Sequence, residues 1–139
     1  MIYVWDTDTF SWWLRGAEPL VHRFAHLPDG DAVFVTAVTA FEVLRGRMVV
    51  AARAQGERQH AVALAAFVAA LTALGRFRVL PYSIEDAERV AQLRTGRGTK
   101  GRCDLRIAAI ALGASAVLVT RNVSHFKDLP GLAVENWLG

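Results

Sequence analysis

Cysteine is almost missing from this chain: Cys103 stands alone, so it forms no internal disulfide and supplies no Cys-x-x-Cys knuckle for zinc. That excludes a stapled secreted scaffold and a thiolate metal site, and leaves Cys103 as a small packing residue. Long apolar runs are missing too. The longest, Ala61 to Leu74, is Ala-rich, is interrupted by Thr72 and falls short of the roughly 18 to 20 residues that span a bilayer. No membrane partner is expected. The start, Met1-Ile2-Tyr3-Val4-Trp5-Asp6, lacks the basic and apolar regions of a signal peptide, so a cytoplasmic protein is expected. Lysine is scarce, with only Lys100 and Lys127, and nearly all the cations are arginine. The net charge of +3 is a slight pointer to phosphate partners, and a GC-rich genome explains an Arg- and Ala-heavy composition equally well.

What is present is a core. With 53% hydrophobic and 21% charged residues, 139 residues suit one domain spanning 1–139 and are far from the composition of disordered chains. Ile2 to Trp5 and Val33 to Val35 read as buried parallel-type strands. Between them lie helical patterns over Thr9 to Leu14 and Pro19 to Leu27, then a Pro28-Asp29-Gly30-Asp31 turn. Thr36 is placed to cap a helix through Val38, Phe41, Leu44, Val49 and Ala52. Gln55-Gly56 marks its end, and a further helix runs from Glu57 to Leu74 and stops at Gly75. Phe77 to Leu80 is a third strand, and Ser83 with Asp86 forms a capping box for the next helix. Thr95 to Gly101 reads as a loop. Asp104 opens a helix that ends at Gly113, Ala116 to Val119 is a fourth strand, and Leu132 to Glu135 adds a short fifth. Strands alternating with helices predict an α/β fold, a sandwich with a mainly parallel central sheet, whose functional residues gather at the carboxyl ends of the strands.

The acids fall at such places. Asp6 and Asp8 follow the first strand, Glu42 lies among Phe41, Val43 and Leu44, and Asp104 precedes Leu105, Ile107 and Ala108. Carboxylates in apolar surroundings need partners, and a cluster drawn from several elements is most simply neutralised by a hard divalent cation, Mg²⁺ or Mn²⁺. Each acid also has a purely structural reading: Asp104 as a helix cap, Glu42 as the i,i+3 partner of Arg45, and Asp8 as the cap of the first helix. Asp6 has the least room for one, because it ends a hydrophobic strand at the top of the sheet. Gly46, one turn after Glu42, leaves space on that helix face.

Val4-Trp5-Asp6-Thr7-Asp8, Phe41-Glu42-Val43-Leu44-Arg45-Gly46, Asp104 to Leu112, Leu118-Val119-Thr120-Arg121-Asn122, Pro130-Gly131-Leu132 and Glu135-Asn136-Trp137 occur in that order. Together they resemble PIN-domain ribonucleases, in particular VapC-type toxins, over essentially the whole chain. The resemblance implies a PIN-like three-layer sandwich, a homodimer, and a metal-dependent endoribonuclease held inactive by a cognate VapB-type antitoxin. It also implies RNA cleavage products with 5′-phosphate and 3′-hydroxyl ends. It carries the family's first three acids onto Asp6, Glu42 and Asp104 as metal ligands and catalytic residues. The fourth acidic position falls at Asn122, which carries no charge and puts a second metal in question. Asp8 stands where the family commonly has Asn.

Other readings compete. Asp6-Thr7-Asp8-Thr9 also resembles the aspartyl-phosphate motif of haloacid-dehalogenase-like phosphatases, but no lysine and later acidic pair follow Val119 in the required places. A PIN-like interaction module without catalysis is the non-enzymatic alternative, which Asn122 keeps open. Gly96-Arg97-Gly98-Thr99-Lys100-Gly101 fits G-x-G-x-x-G yet follows a helical segment, so it is read as a loop and not as a dinucleotide site. Thr120 and Asn122 are candidates to orient water or phosphate. Arg94, Arg97, Lys100, Arg102, Arg106 and Arg121 are candidates to grip RNA phosphates. Trp12 and Trp13 are expected to pack in a dimer or against a partner, such as an apolar antitoxin segment, ahead of stacking bases. His125 is read as structural.

Overall fold

A computed structural model describes residues 1–94 and 102–139, and for residues 102–104 the backbone alone. The loop reading of 95–101, including Arg97 and Lys100, lies outside the described residues.

The chain runs β1 (Ile2–Trp5), α1 (Thr7–Leu14), α2 (Glu18–Ala25), β2 (Ala32–Thr36), α3 (Ala37–Arg53) and α4 (Gly56–Leu74). It continues with β3 (Arg78–Leu80), α5 (Ile84–Arg94), α6 (Arg102–Gly113), β4 (Val117–Val119), α7 (Val123–Phe126) and β5 (Val134–Glu135). Among the described residues five strands form one sheet in the order β3-β2-β1-β4-β5. Every pairing is parallel, with Tyr3 opposite Val33 on one side and Val117 on the other. Helices cover both faces, which is the expected three-layer α/β sandwich.

Side chains alternate along β1 and so divide the core. Tyr3 and Trp5 point to the face covered by α1 to α4, where Phe10, Trp13, Leu20, Val43, Ala70, Leu74 and Phe77 pack. Val4 points the other way, against Ile107, Ala108 and Ala111 of α6 and against Phe126 and Leu129. On this face α6 alternates alanines with isoleucines, Ala108 and Ala111 with Ile107 and Ile110, so that small and large side chains interdigitate against the sheet.

The chain progresses from β1 outward to β2 and β3, and β4 then returns to the opposite side of β1. The sheet therefore has a topological switch point between β1 and β4, and the crevice beyond the carboxyl ends of those two strands is where such sheets bind ligands.

Several caps come out as the sequence indicates. The Thr36 hydroxyl accepts from the Thr39 N–H at 3.2 Å. Ser83 and Asp86 exchange two bonds of 3.0 Å in a reciprocal capping box. Two readings change, and one element is new. α6 starts at Arg102, so Asp104 sits inside the first turn and not before it. The cap of α1 is Asp6, not Asp8, because the helix already begins at Thr7. The one-turn α7 after Asn122 has too few residues to show a helical period and is not legible in the sequence. Among the described residues no helix is long and apolar enough to cross a membrane.

Candidate active site

Asp6 follows β1 at the switch point. Its backbone N–H donates to the Val119 carbonyl at 3.1 Å, which ties it to the end of β4. Its carboxylate caps α1, accepting from the Thr9 N–H at 2.8 Å. Asp6 is only 7% exposed, and this burial pushes its carboxyl above the usual carboxylate range. Hydrogen bonds from Thr120 and Thr9 oppose the shift, and the Asp8 charge adds to it.

Thr7 connects the first acid to the second. Its hydroxyl donates to Glu42 Oε1 at 2.7 Å and lies 2.9 Å from the Thr39 hydroxyl. With its one proton committed to Glu42, Thr7 accepts from Thr39. The half-buried Glu42 of α3 is thus oriented by α1, and no ion pair to Arg45 forms among the described residues. The sequence reading missed Thr7. The signal at hand is a hydroxyl residue wedged between two acids at the start of a helix.

Asp6, Thr7, Asp8, Ser11, Arg15, Glu42, Ile107 and Asn122 line one cavity of about 320 Å³. Asp8 contacts Arg121 across its rim, Nη1 to Oδ2 at 4.0 Å. Asn122 is exposed, and its backbone N–H donates to the Thr120 hydroxyl at 3.0 Å. Gly46 is exposed, a Cβ there would meet nothing within 4 Å, and it is not among the residues that line this cavity.

Asp104 lies in the first turn of α6, three residues before the cavity-lining Ile107, and its side chain is outside the described residues. Among the described residues no three His, Cys, Asp or Glu side chains gather into a metal cage. The donors that do line the cavity are oxygen atoms of carboxylates, hydroxyls and one amide, a set suited to hard divalent cations and unsuited to softer ones.

The paired tryptophans separate. Trp13 is buried within an aromatic cluster, with ring centroids 5.1 Å from Phe77, 5.6 Å from Phe10 and Phe24, and 6.0 Å from Trp5. It is therefore out of reach of RNA or a partner. Trp12 is only half-buried: part of it packs against the same core cluster, and the guanidinium of the cavity-lining Arg15 lies over its ring.

Comparison with known proteins agrees with this architecture. Ribonuclease VapC2 from Rickettsia felis is 37% identical over 68 residues, which are 46% of this chain and 51% of that protein, so the match spans about half of the relative. The structure of VapBC-1 from nontypeable Haemophilus influenzae superposes with a TM-score of 0.77 at 23% identity, covering 100% of both chains. That of FitAcB from Neisseria gonorrhoeae gives 0.72 at 26% identity, covering 99% of this chain and 98% of the other. The family model described as PIN domain matches residues 3–132. With the parallel sheet, the Asp6 corner and a match over nearly all its length, the phosphatase reading is set aside and the chain belongs to the PIN domain family.

Proposed function

We propose that the chain is a metal-dependent endoribonuclease, the toxin of a VapBC-type pair, organised as a single PIN domain over 1–139 and acting in the cytoplasm. The observation that carries this reading is Asp6: a desolvated carboxylate at the sheet switch point, opening with Glu42 into one cavity of oxygen donors. A carboxylate kept in that position against its own burial is what cation binding repays.

Asp6, Glu42 and Asp104 are the residues that would hold Mg²⁺, with Mn²⁺ as a substitute. When bound, the ion supplies positive charge that polarises a phosphoryl oxygen and lowers the pKa of water. The rest falls to the protein. Thr9 and Thr120 hold the Asp6 carboxylate by hydrogen bonds, and Thr7 sets the Glu42 rotamer. The Asn122 amide lies on the cavity wall, where it orients water or phosphate. In-line attack of water on phosphorus, with the ribose 3′-oxygen leaving, gives 5′-phosphate and 3′-hydroxyl ends.

A VapB-type antitoxin and a second copy of the chain are the expected protein partners. Support comes from α3 and α4, which expose Phe41, Met48, Val50, Val62, Leu64 and Val68, an unusual apolar display for a monomer. The test is incubation of the purified chain with total RNA and Mn²⁺, with and without EDTA, followed by sequencing of 5′-phosphorylated ends. Cleavage abolished by EDTA is expected. Cleavage undiminished in EDTA overturns the metal mechanism.

A further inference from the structure

At the mouth of the cavity two arginines from different elements converge on one indole, an arrangement for which ion binding by the acids has no use. Arg15, the C-cap of α1, lines the same cavity as Asp8. Its guanidinium carbon lies 5.3 Å from the Trp12 ring centroid. Arg121 follows β4 directly before Asn122, and its guanidinium carbon lies 5.1 Å from the same ring.

Two cations gathered on one ring repel each other, weakly at this exposed rim, and an anion shared between them relieves that repulsion. Arg121 has Asp8 at 4.0 Å, where both side chains are about half exposed, 47% and 48%. An exposed pair at that distance is weak and exchanges readily for a better acceptor. Arg15 forms no ion pair among the described residues. The rim thus carries two guanidinium groups and one loosely held carboxylate, with room for a better anion. A phosphodiester is such an anion, because its oxygens match guanidinium donors and its charge relieves the repulsion between the arginines.

We propose that Arg15 and Arg121, ordered on the face of Trp12, form a fork that binds a backbone phosphate of RNA adjacent to the one cleaved, and that Asp8 holds Arg121 until that phosphate replaces it. The proposal rests on the ribonuclease reading for the identity of its ligand. It assigns Trp12 to ordering two guanidinium groups and not to stacking a base. It also gives Asp8 a part as the fork's resident counter-ion, separate from metal binding.

The test measures anisotropy of fluorescein-labelled single-stranded RNA bound to the full chain in EDTA, so that nothing is cleaved, from about 50 to about 200 mM salt. Withdrawing one cation from a phosphate lowers the slope of log affinity against log salt by about 0.7 on single strands. Arg15→Gln and Arg121→Gln are each expected to reduce the slope by about that much, and the double variant by about twice as much. Arg53→Gln, which lines a separate groove between α3 and α4, is expected to keep the wild-type slope. Trp12→Leu keeps both charges, so its slope should hold while its affinity falls. Asp8→Asn should tighten binding several-fold, and that gain should vanish in the Arg121→Gln background, since the two act through one contact.

Wild-type slopes in both arginine variants overturn the fork, as does an equal reduction in Arg53→Gln. Variants whose circular dichroism departs from wild type are replaced by Arg15→Lys and Arg121→Lys. These keep the charge but not the planar fork, and should retain the slope with weaker affinity. A chain that shows the fork signature yet cleaves nothing with Mn²⁺ overturns the ribonuclease reading and leaves the fork standing. A chain that cleaves with unchanged slopes in both arginine variants overturns the fork alone.

Discussion

The two sides of α1 obey opposite rules. On one side Phe10 and Trp13 sink into an aromatic cluster with Trp5, Phe24 and Phe77, where Phe24 stacks on Phe77, the other rings meet edge-on or tilted, and burial sets the energy. On the other side Asp8, Ser11 and Arg15 line a cavity, Trp12 sits under two guanidinium groups, and Asp6 holds a carboxylate that its surroundings disfavour. The adjacent residues Trp12 and Trp13 have different fates because successive helical positions are about 100° apart. The difference teaches how the site persists. A helix anchored by its aromatic side can carry, on its other side, charges that by themselves would not favour that position.

Truncating the anchor tests the comparison hardest. Trp13→Ala removes a buried indole from a close-packed cluster and is expected to destabilise by about 3 to 5 kcal/mol in urea unfolding. Trp12→Ala, half-buried at the rim, should cost about 1 kcal/mol or less. Equal destabilisation at the two positions would show that the two sides of α1 do not differ as described.

Asp6→Asn sharpens the comparison from the polar side. Asparagine keeps the helix cap but removes the ligand charge, so RNA cleavage should fall roughly 10²- to 10³-fold. Stability should move the other way. Burial raises the folded-state pKa of Asp6, so its stabilising contribution is complete below the unfolded value of about 3.9 and is lost as pH rises through the folded value. In EDTA the Asn variant should therefore melt above wild type at about pH 7, with the gap closing at about pH 4. A wild type that melts higher at neutral pH would mean that Asp6 contributes more as an ionised cap than its burial costs.

The legible parts of this molecule are those written in local pattern. Apolar runs mark β1, β2 and β4, and Thr36, Gly75 and the Ser83–Asp86 box mark helix ends, because each depends on neighbours a few residues away. Asp6 and Glu42 stand out since acids at a strand end or in an apolar helix are locally anomalous. Thr7 and the pairing of Arg121 with Asp8 are not legible, since they depend on neighbours 35 and 113 residues away along the chain. The expectation of a partner-facing Trp13 fails for the same reason: the rings that bury it, Trp5, Phe24 and Phe77, come from three other segments. Asp104 lies inside the first turn of α6, one turn before Ile107 and two residues past the helix start, and its part in the site is a proposal that Asp104→Asn tests directly.

Asn122 is the smallest and most informative break in the comparison, because it belongs to the polar side without carrying charge. It lies on the cavity wall as the N-cap residue of α7, yet its side chain makes no capping hydrogen bond, and its backbone N–H is satisfied by Thr120. Removing the amide therefore takes nothing from the fold, and Asn122→Ala should melt within about 0.5 kcal/mol of wild type. A neutral amide that orients water or phosphate contributes about one hydrogen bond, so turnover should drop by about tenfold or less. That is a far smaller effect than for Asp6→Asn. Asn122→Asp should strengthen Mn²⁺ binding by adding a charged oxygen donor to the same wall, read as a second, tighter equivalent in a titration against the roughly one expected for wild type. If Asn122→Ala is as inactive as Asp6→Asn, the amide is indispensable to the chemistry, and charge is not what separates the working residues of this cavity from the rest.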